Sequence, residues 1–259
     1  MSSHVIRRDD AGIAWLILDH PARRNALTPS MLTDFRRHLD DIEADPAVRL
    51  VAIRGQGNAA FSAGFDLRSF GAVAQNPHEA GNAITAALGQ LADLSKPTIA
   101  VLNGHAIGAG CELAVTCDIR WAVEPATLGM PPAKLGLVYA PEGMARFVGL
   151  IGPAHTAELF HTARNITAHR AAQIGLVNDV FSAETFEDEI ASRLGDMAAQ
   201  APLSLAGHTH LIRRISRRAL SGDDAAAYDA MRLQAFSSRD AAEGLDAFLE
   251  KRAPRFTGR

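Results

Sequence analysis

Short apolar runs alternate with helix-length amphipathic segments over about the first 180 residues, and that alternation confines the chain to an α/β core. Ile13 to Leu18, IAWLIL, reads as a buried strand closed by a turn at His20-Pro21. Thr28 then serves as N-cap, with Pro29 in the first turn of a helix whose apolar stripe is Met31, Phe35, Leu39 and Ile42. Leu50 to Ile53 is the next strand, ended by Gly55-Gln56-Gly57. A second helix carries Ile84, Leu88, Leu91 and Leu94 and stops at Lys96-Pro97. TIAVLNG, from Thr98, reads as one strand, GCELAVTC from Gly110 as a buried helix, and IRWAV from Ile119 as a strand again. After LVNDV at 176–180 the pattern changes. Everything from Ala183 onward is helical in character, including an alanine-rich stretch from Asp223 to Met231.

At 259 residues the chain can bury a sizeable core, and 47% apolar with 21% charged residues is ordinary for a globular protein. A formal charge of −3 gives no polyanion-binding signal, so nucleic acid is not an expected partner. The two cysteines, Cys111 and Cys117, lie in an apolar run and read as buried thiols of a reducing compartment. The N-terminal apolar run of six residues is too short for a signal peptide's core or a membrane span, and a cytoplasmic location is expected. No clustered ligand spacing implies a metal.

Two glycine loops carry the chemical signal: FSAGFDL at 61–67 and NGHAIGAGCEL at 103–113. Each follows a strand, and the second leads into a helix. Glycines there let a ligand approach the backbone and make positive φ available. Two such loops can each aim one N–H at a single oxygen, an oxyanion hole in which one donor is worth about 2.7–4 kcal/mol. Structural turns are the competing reading of each loop taken alone. Neither loop is a dinucleotide fingerprint or a Walker loop, and no G-x-S-x-G elbow is present.

RNALT at 24–28, the two glycine loops, LGLV, IGLVNDV and the ending EGLDAFLEKRAPRFTG, in this order, resemble the crotonase (enoyl-CoA hydratase/isomerase) superfamily over nearly the whole chain. The resemblance implies a spiral of repeated ββα units over residues 1–195 and a C-terminal helical trimerisation region over 196–259. It also implies assembly as a trimer or dimer of trimers. The implied substrate is an acyl-CoA thioester, coenzyme A being part of the substrate and no separate cofactor being needed. Carried over by position, the oxyanion donors are the amides of Phe65 and Ala109, the latter where relatives usually have glycine. Coenzyme A would lie along Arg24, Ala26, Ala63, Asp66 and Leu67, with Gly108 also binding substrate and Lys251 and Phe256 reaching coenzyme A across subunits.

Two acids are candidates. Glu112 matches the first glutamate used by hydratases of the superfamily, while a dipole-stabilising role early in a helix is its competing reading. The second glutamate of those hydratases falls on Pro132, which cannot transfer a proton. In relatives that shift a double bond the acid falls on Ala140, two residues before Glu142. Glu142 is therefore either a second acid on a shifted loop or the first-turn residue of the helix EGMARFVGLIG. His105 reads as a loop hydrogen-bonding residue, and the basic run RRISRR at 213–218 as a solvated or subunit-contact face. The leading expectation is an enoyl-CoA hydratase-type enzyme, with a single-carboxylate double-bond isomerase as alternative. An acyl-CoA hydrolase or decarboxylase, or a non-catalytic acyl-CoA-binding protein, stands further off.

Overall fold

The computed structural model describes residues 3–66, 68, 77–135, 138–216, 238–250 and 252–258. Strands β1 (His4–Asp10) and β2 (Ile13–Asp19) form an antiparallel hairpin turned at Ala11-Gly12, both at positive φ. Helix α1 (Pro29–Ala44) starts as expected: Thr28 Oγ1 accepts from the Met31 amide at 3.2 Å, and Pro29 stands in the first turn. The stripe Met31, Phe35, Leu39 and Ile42 is buried.

Three ββα units follow. The first is β3 (Leu50–Gly55), β4 (Ala60–Ser62) and α2 (Pro77–Asp93). The second is β5 (Thr98–Leu102), β6 (His105–Ile107) and α3 (Ala109–Thr116). The third is β7 (Ile119–Val123), β8 (Thr127–Gly129), a 3-10 turn over Pro132–Leu135, and α4 (Pro141–Thr162). Next come β9 (Ile166–Thr167), α5 (Ala168–Gln173), β10 (Asp179–Phe181) and the helices α6 (Phe186–Ala198), α7 (Pro202–Ser216) and α8 (Arg239–Glu250). Within each unit the first strand joins a six-stranded sheet, β1-β2-β3-β5-β7-β10, and the second a four-stranded sheet, β4-β6-β8-β9. Each sheet is parallel except for one antiparallel pair, β1-β2 in the large sheet and β8-β9 in the small one. This is the α/β crotonase fold, with two mixed sheets and C-terminal helices.

Two expectations need correction. The TIAVLNG strand is present as Thr98–Leu102 but ends two residues early, because the chain turns at Asn103-Gly104 into the small sheet. The Asn103 side chain takes the Gly55 amide at 3.0 Å and donates back to the Gly55 carbonyl at 2.8 Å. A β-carbon on Gly104 would sit 2.6 Å from the Ala60 nitrogen, so the turn needs glycine. Nor is everything beyond Ala183 helical: residues 252–258 carry no helix. Asp240 holds this tail by accepting from the Thr257 amide at 2.6 Å and the Gly258 amide at 2.7 Å, and Arg49 donates to the Phe256 carbonyl at 2.9 Å. The alanine-rich stretch lies outside the described residues. Residue 195, the expected end of the core, falls inside α6, whose buried stripe of Phe186, Ile190, Leu194 and Ala198 runs through it.

Candidate active site

The loops after β4, β6 and β8 leave the small sheet at one end and stack. Gly108 N donates to Gly129 O at 2.9 Å, joining the second loop to the third. Gly64, at φ +94°, joins the first to the second: a β-carbon there would sit 2.7 Å from Ile107 O and 3.3 Å from Ala109 N. At Gly110 a β-carbon would sit 2.5 Å from Ser62 O. The two loops therefore meet backbone to backbone, which only glycine permits at these positions.

A third segment locks the first loop. Arg24 and Asn25 both take left-handed φ. Buried Asn25 donates to Ala60 O at 2.7 Å and Gln56 O at 3.0 Å, while its own carbonyl accepts from Ser62 Oγ at 2.8 Å. Ala63 N donates to Arg24 O at 2.9 Å, Leu27 N to Gly64 O at 2.7 Å and Asp66 N to Leu27 O at 2.9 Å. Arg24, Ala26, Ala63 and Asp66 are thus drawn into one ribbon, with Arg24 and Ala63 exposed and Ala26 buried. Leu67 and Lys251 lie outside the described residues. Phe256 is elsewhere in the chain, half-buried beside Gly244 in a hollow shared with Ala201, Leu203 and Ser204.

Phe65 follows Gly64 at the edge of this contact, half-buried. Ala109 is the first residue of α3, where an amide has no acceptor within its own helix. The positive φ, +55°, falls on Gly108, and Ala109 is not among the residues with positive φ. Alanine therefore stands at this position without strain. The positive end of the α3 dipole adds to the same point.

Glu112 lies one helical turn beyond Ala109 and is 4% exposed. Tyr139 Oη donates to its Oε2 at 2.5 Å, and Arg146 Nη1 donates to its Oε1 at 2.8 Å. Burial raises the Glu112 pKa above the ordinary carboxylate value and outweighs the opposing pull of Tyr139 and Arg146; nearby Glu142 adds slightly to the rise. The Tyr139 phenol is held well above its usual value, first by burial and then by the charge of Glu112. Gly143 makes room for the cluster, since a β-carbon there would sit 2.6 Å from Glu112 Oε1. No local motif in the sequence marks Tyr139 or Arg146, which meet Glu112 from 27 and 34 residues away. Arg146 stands four residues after Glu142, the spacing of an intrahelical ion pair, yet it reaches across to Glu112.

Glu142 sits in the first turn of α4, exposed, after Ala140 as N-cap and Pro141. Pro132 is buried at the start of the 3-10 turn. His105 Nδ1 accepts from the Thr127 amide at 3.1 Å, a structural bond between β6 and β8. Both thiols are buried and pushed up to about 12, mainly by desolvation, as inert cysteines are. Arg213 pairs with Asp118 at 2.6 Å and packs against the core, so the described part of the basic run is not simply a solvated face. Among the described residues no helix is long and apolar enough to cross a membrane, and no group of His, Cys, Asp and Glu is arranged to hold a metal.

Two glycine loops stacked backbone to backbone at a helix start, with one buried acid a turn away, make up the candidate site. The chain belongs to the enoyl-CoA hydratase/isomerase family, whose model matches residues 8–259. It is 32% identical over 261 residues to the 2,3-dehydroadipyl-CoA hydratase of Escherichia coli, covering 100% of both chains. It is 33% identical to the crotonyl-CoA hydratase of Syntrophomonas wolfei, over 98% of this chain and 97% of that one. Among solved structures, an enoyl-CoA hydratase/carnithine racemase from Magnetospirillum magneticum superposes with a TM-score of 0.92 at 31% identity, covering 98% of this chain and 96% of that one.

Proposed function

We propose that the chain hydrates a 2-enoyl-CoA thioester through an enolate, with Glu112 as the acid/base. The Phe65 and Ala109 amides receive the thioester oxygen. Glu112 takes a proton from water as the oxygen adds to C3, and returns it to C2 as the enolate collapses. One carboxylate suffices for this shuttle. The reading rests on one observation above all: the only acid buried beside the stacked glycine loops, among the described residues, is Glu112, one turn from the Ala109 amide. Coenzyme A would lie along Arg24, Ala26, Ala63, Asp66 and Leu67, beside Gly108. Lys251 and Phe256 would approach it from a neighbouring copy in a trimer or dimer of trimers. Ile212 and Ile215 on α7, 64% and 52% exposed, fit a helix that packs on such a neighbour.

A second reading, isomerisation of a 3-enoyl-CoA, is favoured by Pro132, which leaves the site without the second acid of the hydratases. A panel of 2-enoyl- and 3-enoyl-CoA esters separates the two. Water addition to the 2-enoyl esters supports hydration, and conversion of 3-enoyl to 2-enoyl ester without hydration supports isomerisation. Binding without turnover of any member defeats both.

A further inference from the structure

Pro132 removes one proton-transfer group from the site, yet the Glu112 oxygen that Arg146 does not hold is engaged by a phenol. That phenol is built in. The Tyr139 ring packs edge-on against Phe160, with centroids 5.6 Å apart, and Phe160 packs edge-on against Phe147 at 5.2 Å. Gly143 leaves the space between ring and carboxylate clear: a β-carbon there would sit 2.7 Å from Tyr139 Cε1. With the ring held in this way, its hydroxyl donates to Glu112 Oε2.

We propose that Tyr139 is a positioning residue for the reaction: its phenol fixes Glu112 in one orientation and favours its ionised form, so that a single carboxylate serves where Pro132 supplies none. This rests on Glu112 being the acid/base, as proposed above. The phenol keeps its own proton throughout, because burial and the Glu112 charge make it hard to ionise. When Glu112 takes a proton from water or from C2, the bond from Tyr139 Oη to Oε2 persists and the proton rides on the carboxyl until it is returned. Three other features set the charge at this point, and a neighbouring neutral thiol adds none. Arg146 and Glu142 face Glu112 from α4, while Cys111 on α3 is held neutral by burial; Glu112's own desolvation opposes ionisation.

The chain has two tyrosines, Tyr139 and Tyr228, so a Tyr228→Phe background leaves one to edit. Two changes are then made at position 139: phenylalanine, which keeps the ring but removes the donor, and a fluorinated tyrosine, whose more acidic phenol donates more strongly. The readouts are the pH profile of kcat/KM and the NMR titration of the carbon-13-labelled Glu112 carboxyl, assigned by its disappearance in Glu112→Gln. Tyr139→Phe should lower kcat roughly ten- to a hundredfold with little change in KM, and move both the acidic limb and the carboxyl titration to higher pH. Fluorotyrosine should move both to lower pH. A Glu112 titration unchanged in both variants overturns the proposal, whatever happens to activity. If the unsubstituted protein turns over no enoyl-CoA, the acyl-CoA reading falls; the carboxyl titration still decides whether Tyr139 is the donor that holds Glu112 charged.

Discussion

Glu112 and Glu142 are brought to the same region of the fold by consecutive ββα units, and their surroundings differ in almost every respect. Glu112 is 4% exposed, takes hydrogen bonds on both oxygens, and follows the stacked loops by one turn of α3. Glu142 is exposed in the first turn of α4, behind a proline, where a carboxylate serves the helix dipole. Nearness to the glycine loops does not by itself equip a carboxylate for proton transfer. A carboxylate that is desolvated and oriented is equipped to move a proton; one that is solvated at a helix start is equipped to begin a helix.

The largest expected effect separates the two by substitution. Glu112→Gln should lower kcat by about 10²–10⁴, while Glu142→Gln should change it by less than about threefold, measured on whichever enoyl-CoA the chain turns over. Comparable losses from both would dissolve the distinction. Next in size is the contact between the two glycine loops at the start of α3. Gly110→Ala would press a β-carbon against Ser62 O and part the two loops, and a kcat loss of about 10²–10³ should accompany a lower Tm. Full activity in a folded Gly110→Ala protein would mean that the amides do not act as a pair.

The raised pKa of Glu112 gives a smaller effect with a definite sign. A carboxyl that protonates more easily in the folded chain adds stability below its unfolded pKa and loses that contribution as pH rises through its folded value. Denaturant titrations of the original protein and of Glu112→Gln should therefore show the original gaining on the variant as pH falls toward the ordinary carboxylate value. A gain in the opposite direction would mean that Arg146 and Tyr139 outweigh burial. The smallest effect falls on Glu142: removing its charge should move the acidic limb of kcat/KM slightly to lower pH, because its repulsion contributes least to the Glu112 shift. No movement would place Glu142 electrically outside the site.

Much of this was legible in the sequence. The stripe on α1, its Thr28 cap, the strands Ile13–Asp19 and Leu50–Gly55 and the fully buried α3 follow from local pattern. The small sheet was not legible, because β4, β6 and β8 have three residues each, too few to show a period. Their positions are set by Asn103 and by glycines whose role is to let backbones touch. At the site, the motif pointed to Glu112 and to the Ala109 and Phe65 amides. Tyr139 and Arg146 were silent, since each meets Glu112 across more than 25 residues of chain, a contact no local spacing encodes. Glu142 stands out in the sequence because it lies two residues past Ala140, where the resemblance places the acid of double-bond isomerases.

The most direct measurement is exchange of the C2 protons of a saturated acyl-CoA with deuterated solvent, which reports enolate formation whatever reaction the chain completes. The original protein and Glu142→Gln should exchange at similar rates, and Glu112→Gln should fall to the rate of the uncatalysed control. Exchange that survives in Glu112→Gln and vanishes in Glu142→Gln would contradict the assignment of the site's acid/base to Glu112.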